Sequence, residues 1–251
     1  MAFALISDPF FYAVGVPAVL LMGVSKSGFG SGFGSLAVPL MALAVPVPQA
    51  VAIFMPVLFL MDIFGMAAFR KDFDTRLLRF LIPFGLLGIA VGALLFKLLN
   101  ASAVAGIVGV FTLLFLAQRL LFPPTADSVP APRWVGAILT VTAGFTSFIS
   151  HAGGPPINAY LIPMRLLPLR FTATMAFFFF VINLAKWIPY AWLGLLDLRN
   201  MLTSLALLPI APFGVWFGVW LARRINQVLF YRLVYLGMFL TGVKLTADAL
   251  I

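Results

Sequence analysis

The sequence predicts an all-α polytopic membrane protein made of two inverted repeats of about five hydrophobic elements each. Three observations carry that expectation. First, 63% of the 251 residues are hydrophobic and only 9% are charged, whereas soluble chains carry about 25% charged residues. So few charges cannot cover a water-soluble surface of this size, and a chain this rich in Phe and poor in charge is not disordered. Second, the apolar residues form ten stretches separated by Gly, Pro or charge: 9–24, 33–46, 48–69, 79–99, 101–121, 134–150, 155–166, 168–192, 200–222 and 227–248. Third, residue spacings recur between the halves. Pro83, Gly88, Gly92, Lys97 and Asn100 return as Pro209, Gly214, Gly218, Arg223 and Asn226, and Ser27, Gly34, Pro48 and Arg79 as Ser147, Gly154, Pro168 and Arg199.

A full crossing needs about 20 residues. Four of the stretches (9–24, 33–46, 134–150 and 155–166) are short for that, and each short pair flanks a breaker, SKSGFGSGFG in the first half and SHAGGPP in the second. The first pair in each half is therefore broken or re-entrant. Reading each pair as one broken span gives the alternative count of eight. Charge favours ten elements. With ten, Arg70, Lys71, Arg76, Arg79, Arg119, Arg133, Arg165, Arg170, Arg223, Arg224 and Arg232 share one face. Only Lys97, Lys186, Arg199 and Lys244 fall towards the other. The positive-inside rule makes the crowded face cytoplasmic and puts both termini outside a plasma (inner) membrane. Residues 123–133, rich in Pro, form the one linker-like stretch, dividing a first repeat at 1–122 from a second at 134–251. Five elements per half is an odd number, so the second half enters upside down, an arrangement that places transporter sites near the midplane between repeats.

Composition also excludes functions. The net charge of +9 comes from 16 Lys and Arg against 7 acids, scattered singly between apolar stretches, which does not fit nucleic acid. Without cysteine there is no disulfide framework, thiol chemistry or Cys metal site. The N-terminal MAFALISDPF lacks a basic region, so no cleaved signal peptide is expected. No nucleotide motif, Ser/His/Asp triad or paired catalytic carboxylates occur, so neither cofactor nor enzymatic activity is expected.

The stretch Gly23–Leu40 is the most informative. Alternating glycines at 28, 30, 32 and 34 do not make a stable helix interior. Irregular backbone at membrane depth must be buried or line a cavity, where its N–H groups suit an anion. Ser25, Lys26, Ser27, Gly28 and Gly30 are the candidates there; the plainer reading is a cytoplasmic turn with Lys26 snorkelling to water. The matching stretch Gly144–Pro163 supplies Ser147, Ser150, His151, Gly153, Gly154 and Asn158. Pro155 and Pro156 suit the first turn of a following helix. His151 can donate to an anion or carry a proton, or merely tie down the bend. A single histidine without acidic or Cys neighbours makes no metal site. Asp62 lies mid-stretch, where a carboxylate costs on the order of 2.5–3.5 kcal/mol and needs a partner or a proton. Asn183 holds nearly the equivalent place in the second half, with Lys186 one turn further on. Asp62 reads first as a structural partner within the bundle and alternatively as a proton-coupling residue, with Lys186 attracting an anion. The Gly88–Gly92 and Gly214–Gly218 pairs read as close-packing seams, Phe177–Phe180 as lipid- or bundle-facing bulk, Trp187, Tyr190 and Trp192 as an outer aromatic belt, and Trp134 as part of the inner one.

These motifs resemble the sulfite exporter TauE/SafE family of membrane transporters. The likeness rests on Gly28-Phe-Gly-Ser-Gly-Phe-Gly34 running into Leu36-Ala-Val-Pro39-Leu, on Gly144-Phe145 and Gly153-Gly154-Pro155-Pro156, and on the downstream Asn183. It implies export of sulfite, organosulfonates such as sulfoacetate or related small organic anions, with the site at the two breaks. Lys26 and His151 are additions of this sequence. The expected function is thus secondary transport of a small sulfur-containing anion by alternating access, with a small anion and the lipid bilayer as partners and proton coupling possible. A proton or cation carrier centred on Asp62 and a non-transport assembly factor are the alternatives.

Overall fold

A computed structural model describes residues 5–26, 33–68, 72–122, 129–222 and 227–250. Among them the chain is all-helical: α1 (Pro9–Lys26), a 3-10 turn at Phe33–Leu36, α2 (Ala37–Met41), α3 (Val47–Ala68), α4 (Thr75–Leu98), α5 (Ala101–Leu121), α6 (Arg133–Ser150), α7 (Gly154–Leu161) continued by a 3-10 turn at Ile162–Met164, α8 (Pro168–Trp192), α9 (Leu198–Leu207), α10 (Ile210–Ala222) and α11 (Gln227–Asp248). Among the described residues, five helices are long and apolar enough to cross a membrane, and α9 with α10, bent by 44°, makes a sixth if the pair is one span. The chain is a multi-pass membrane protein.

Helix starts follow local chemistry. The side chains of Asp74, Asn100 and Asp197 accept from the backbone N–H groups of Leu77, Ala103 and Asn200 at 2.9, 2.8 and 2.7 Å, satisfying donors that a first turn leaves open. α4 consequently begins four residues before the apolar stretch at 79–99, because a polar cap and first turn precede it. Pro155 and Pro156 open α7, where the missing N–H groups cost nothing. The stretch at 200–222 is divided at Leu208–Pro209, while Pro17, Pro56, Pro83 and Pro189 sit inside helices that continue through them.

The chain reverses at both breaks. A Cβ on Gly136, in the first turn of α6, would meet the Tyr160 ring of α7 at 2.2 Å, so the start of α6 lies beside the end of α7. In the first half Gly34 lies against Met22 and Ser25, and Gly15 against Met41, so the 3-10 turn and α2 fold back along α1. α7 has 8 residues, about 12 Å of helix at 1.5 Å per residue, too short to cross a core of about 30 Å.

The long helices pack in a regular set of pairs: α4 on α6 and α1 on α10, α4 on α8 and α3 on α9, α5 on α11, α3 on α8. Exchanging the halves element for element carries these largest contacts into one another, while smaller ones such as α1 on α3 and α3 on α5 have no such counterpart. Glycine makes two of the contacts close. A Cβ on Gly88 of α4 would lie 2.1 Å from the Val141 carbonyl of α6, and one on Gly144 would lie 2.1 Å from the Gly85 carbonyl. Gly23 of α1 would meet the Gly214 backbone of α10 at 2.5 Å. Such seams let backbones touch where side chains would hold them apart. The expected outer aromatic belt needs correction: Trp192 is exposed, but Trp187 is only half-buried and Tyr190 is wholly buried, because its hydroxyl donates to the Phe148 carbonyl at 2.6 Å.

Candidate functional site

The site is built where α3 and α8 cross. They run antiparallel, with the Phe59 ring stacked on Phe180 at 5.9 Å and Gly65 facing Ala176. At the crossing the Asn183 amide donates to one oxygen of Asp62, and the Lys26 ammonium at the end of α1 donates to the other. Asp62 is 2% exposed, so its charge is met by an ion pair and an amide rather than by water, as a buried carboxylate requires. Lys26 also stands 5.1 Å above the Phe179 ring, within cation–π range.

One turn further along α8, Lys186 is wholly buried. Its ammonium contacts the Ser147 carbonyl at 3.0 Å, the Ser147 hydroxyl at 3.2 Å and His151 Nδ1 at 2.8 Å. An ammonium has three protons to donate and nothing to accept with, so these partners use all of them and His151 Nδ1 accepts. His151 therefore holds its own proton on Nε2 and donates it to the Val51 carbonyl of α3 at 2.9 Å. His151 ends α6 with φ of 53°. That left-handed conformation strains a residue with a Cβ, and the two side-chain bonds hold it there.

A cavity of about 290 Å³ joins both breaks. Ser25, Lys26, Gly34 and Ser35 line it from the first, and Ser147, His151, Ala152 and Gly154 from the second. Leu58, Met61, Asp62 and Gly65 of α3 and the face of α8 from Pro168 to Asn183 complete the wall. Seven residues singled out in the sequence, Ser25, Lys26, Asp62, Ser147, His151, Gly154 and Asn183, thus meet in one space. Four do not line it. Ser150 donates to the Thr146 carbonyl inside α6 at 3.1 Å. Gly153 is pressed to α6, where a Cβ would lie 2.6 Å from the Ala143 carbonyl. Asn158 is buried in α7, and Lys186 lies behind Ser147 and His151. Ser27, Gly28 and Gly30 lie outside the described residues.

The largest omission from the sequence reading is the α8 wall. Pro168, Phe171, Thr172, Met175, Ala176, Phe179 and Asn183 recur at three- and four-residue steps, so they share one helix face. Phe179 belongs to this wall and is not plain bulk, whereas Phe178 is buried in the bundle. The repeat of period 3.6 through Asn183 was the available signal.

The cavity runs towards the end of the bundle where α3 finishes and α8 begins. The opposite end is bolted by His151 on Val51, Tyr190 on Phe148, and the Gln49 amide donating to Asn200 at 3.0 Å. Among the described residues no three His, Cys, Asp or Glu side chains group as metal ligands.

Long apolar helices around a cavity with charged and hydroxyl groups in its wall, between two chain breaks, define a class, the multi-pass membrane transporters. The family model of the sulfite exporter TauE/SafE matches residues 15–245, nearly the whole chain, and the protein belongs to that family. No match was found among curated proteins or among solved structures.

Proposed function

We propose that the protein exports a small sulfur-containing anion, sulfite or an organosulfonate, across the plasma membrane by alternating access. One observation carries the reading: both breaks meet at one cavity, and at its wall the Lys26 ammonium is held by a single carboxylate, Asp62, a partner it can exchange for an anionic cargo. Ser25 and Ser147 add hydroxyls that can donate to an oxyanion. An inside-negative potential favours anion exit by about 2.3 kcal/mol per charge per 100 mV, so export needs no nucleotide and no chemistry on the cargo.

In this reading the described state is open to the cytoplasm. Arg165 and Arg170 flank the start of α8, and the positive-inside rule puts that end within and both termini outside. The two halves act as inverted repeats: the largest helix pairings, unchanged by exchange of halves, and recurring residue spacings support this. The outward-open state would then break the bolts at Val51, Phe148 and Asn200 and expose the Lys186 end while the Lys26 end closes. Thermal-shift titration of purified protein with sulfite and methanesulfonate tests the site. Stabilisation in wild type that is lost in Lys26→Ala is expected. Equal stabilisation in both would sink the assignment.

A second reading has its own observation. Asp62 is buried between Lys26 and Asn183, a setting for a residue that takes up and releases a proton. A proton carrier centred there predicts that Asp62→Asn abolishes flux in proteoliposomes while Lys26→Ala spares it.

A further inference from the structure

The open cavity has a counterpart in the other half of the chain, and the counterpart is closed. α3 begins at Val47 and α8 at Pro168, 121 positions apart, the same separation as Asp62 and Asn183. At that spacing two residues touch their own equivalents where the helices cross: the Phe59 ring stacks on Phe180, and the Asn183 amide donates to Asp62. Residues that meet their own equivalents mark a two-fold axis. On the inverted-repeat reading above, the axis relating the halves passes through this crossing.

Across that axis the open wall has an image. α8 gives the cavity Pro168, Phe171, Thr172, Met175 and Ala176. Their equivalents on α3 are Val47, Ala50, Val51, Phe54 and Met55, which share one helix face and run from Asp62 to the opposite end of the bundle. All five are apolar and none is more than 2% exposed. At Val51 and Phe54 the cover is His151, which donates to the Val51 carbonyl at 2.9 Å and sets its ring edge-on to Phe54 at 6.3 Å. The residues of α8 beside its open wall, Ala173, Thr174 and Phe178, are buried, and so are their equivalents Ala52, Ile53 and Val57. The floor has an image too: Gly65 lines the cavity, and its equivalent is Lys186, buried behind His151.

We propose that the outward-open state uncovers this face of α3 as an outer vestibule, about 22 Å deep from Val47 to Asp62, with Lys186 at its floor and His151 as the cover that moves away. This rests on the alternating-access reading above and names the residues of the second opening.

The chain has no cysteine, so single thiols test the vestibule one position at a time. Ala50→Cys, Val51→Cys and Met55→Cys probe the face, and Ala52→Cys, Ile53→Cys and Val57→Cys are controls on the same helix. Each variant is treated with a membrane-impermeant maleimide, on intact cells and on inside-out vesicles. The face thiols are expected to react from the outer side roughly tenfold or more faster than the controls, which only local unfolding uncovers. Ala176 lines the present cavity against Gly65, so Ala176→Trp props that cavity open. In that background the face thiols are expected to react several-fold more slowly. Equal rates at all six positions, faster controls, or reaction from the cytoplasmic side alone overturns the inference and leaves alternating access through another surface standing. Face thiols that keep their full rate with Ala176→Trp mean that the two openings are independent, which overturns alternating access and this inference with it. Where Ala176→Trp fails to fold, the comparison of the two sets of thiols still decides the vestibule.

Discussion

Lys26 and Lys186 each bring an ammonium to the crossing of α3 and α8 from opposite halves of the chain, yet they are held differently. The Lys26 side chain is 23% exposed, borders the cavity and shares its charge with Asp62. Lys186 is wholly buried and its protons are all engaged by Ser147 and His151. An ammonium whose donors are all used orients its neighbours; one paired with a single carboxylate at a cavity edge can exchange that partner for a ligand. The same architecture thus gives one end that is open to exchange and one that is locked, as expected when only one side of a transporter is open at a time.

The comparison extends to the glycine seams, where the largest effect is expected. A Cβ on Gly88 would lie 2.1 Å from a carbonyl oxygen of α6, but one on Gly214 has no heavy atom nearer than 3.2 Å. Backbone cannot yield as a flexible side chain can. Gly88→Ala should cost the folded protein outright, read as loss of the monodisperse peak on size exclusion in mild detergent. Gly214→Ala asks its backbone neighbours at 3.2–3.3 Å to give by only a few tenths of an ångström and should keep most of it. Equal tolerance at both positions would show that the α4–α6 contact at Gly88 is no closer than the α1–α10 contact at Gly214.

Next in size is the split between the lysines. Lys26→Ala removes a charge-assisted contact of about 1.5–3 kcal/mol and leaves Asp62 facing the cavity. Anion affinity should fall roughly 10- to 100-fold, within the range that energy allows. Lys186→Met leaves buried acceptors on Ser147 and His151 unmet, at about 1–3 kcal/mol per group. It should lower the thermal midpoint, while affinity on the folded fraction falls less than tenfold. The reverse ranking would make Lys186 the ligand-facing cation.

Asp62→Asn sharpens the same contrast at a smaller scale. The substitution keeps an acceptor for Lys26 and a partner for Asn183, but removes the carboxylate that competes with a bound anion. Affinity for methanesulfonate should rise on the order of tenfold, as expected for removing one nearby like charge at an intermediate dielectric. Weaker binding would mean that Asp62 helps to build the anion site, and lost flux of protons would favour the proton carrier.

Much of this fold was legible in the sequence because membranes constrain it so strongly. The stretches 101–121, 168–192 and 227–248 coincide with α5, α8 and α11, since in hydrocarbon an apolar run must be helical. The division of 200–222 was not legible: Pro209 marks it, but Pro56 and Pro83 lie in continuous helices, so proline alone does not separate a bend from a straight helix. For the site, the breaks and the polar residues at Lys26, Asp62, His151 and Asn183 stood out because each is costly in lipid. Phe179 and Met175 did not, since an apolar cavity wall and an apolar lipid face have the same composition. Only their spacing from Asn183 distinguishes them.

The smallest effect tests whether the second break is a fixed hairpin. His151 combines a strained backbone, φ of 53°, with two side-chain hydrogen bonds, to Val51 and from Lys186. His151→Ala and His151→Gly lose both bonds equally, so their difference isolates the backbone. The left-handed conformation costs alanine about 1–2 kcal/mol, and the greater freedom of glycine in the unfolded chain offsets about 0.4–1 kcal/mol of that. The glycine variant should therefore be the more stable by roughly 0.5–1 kcal/mol, read as a higher thermal midpoint in the same detergent. Alanine matching or exceeding glycine would mean that the left-handed turn is absent in the detergent-solubilised protein. The reversal between α6 and α7 would then not be locked at His151, and the sealed end of the molecule would resemble the Lys26 end more closely than its hydrogen bonds imply.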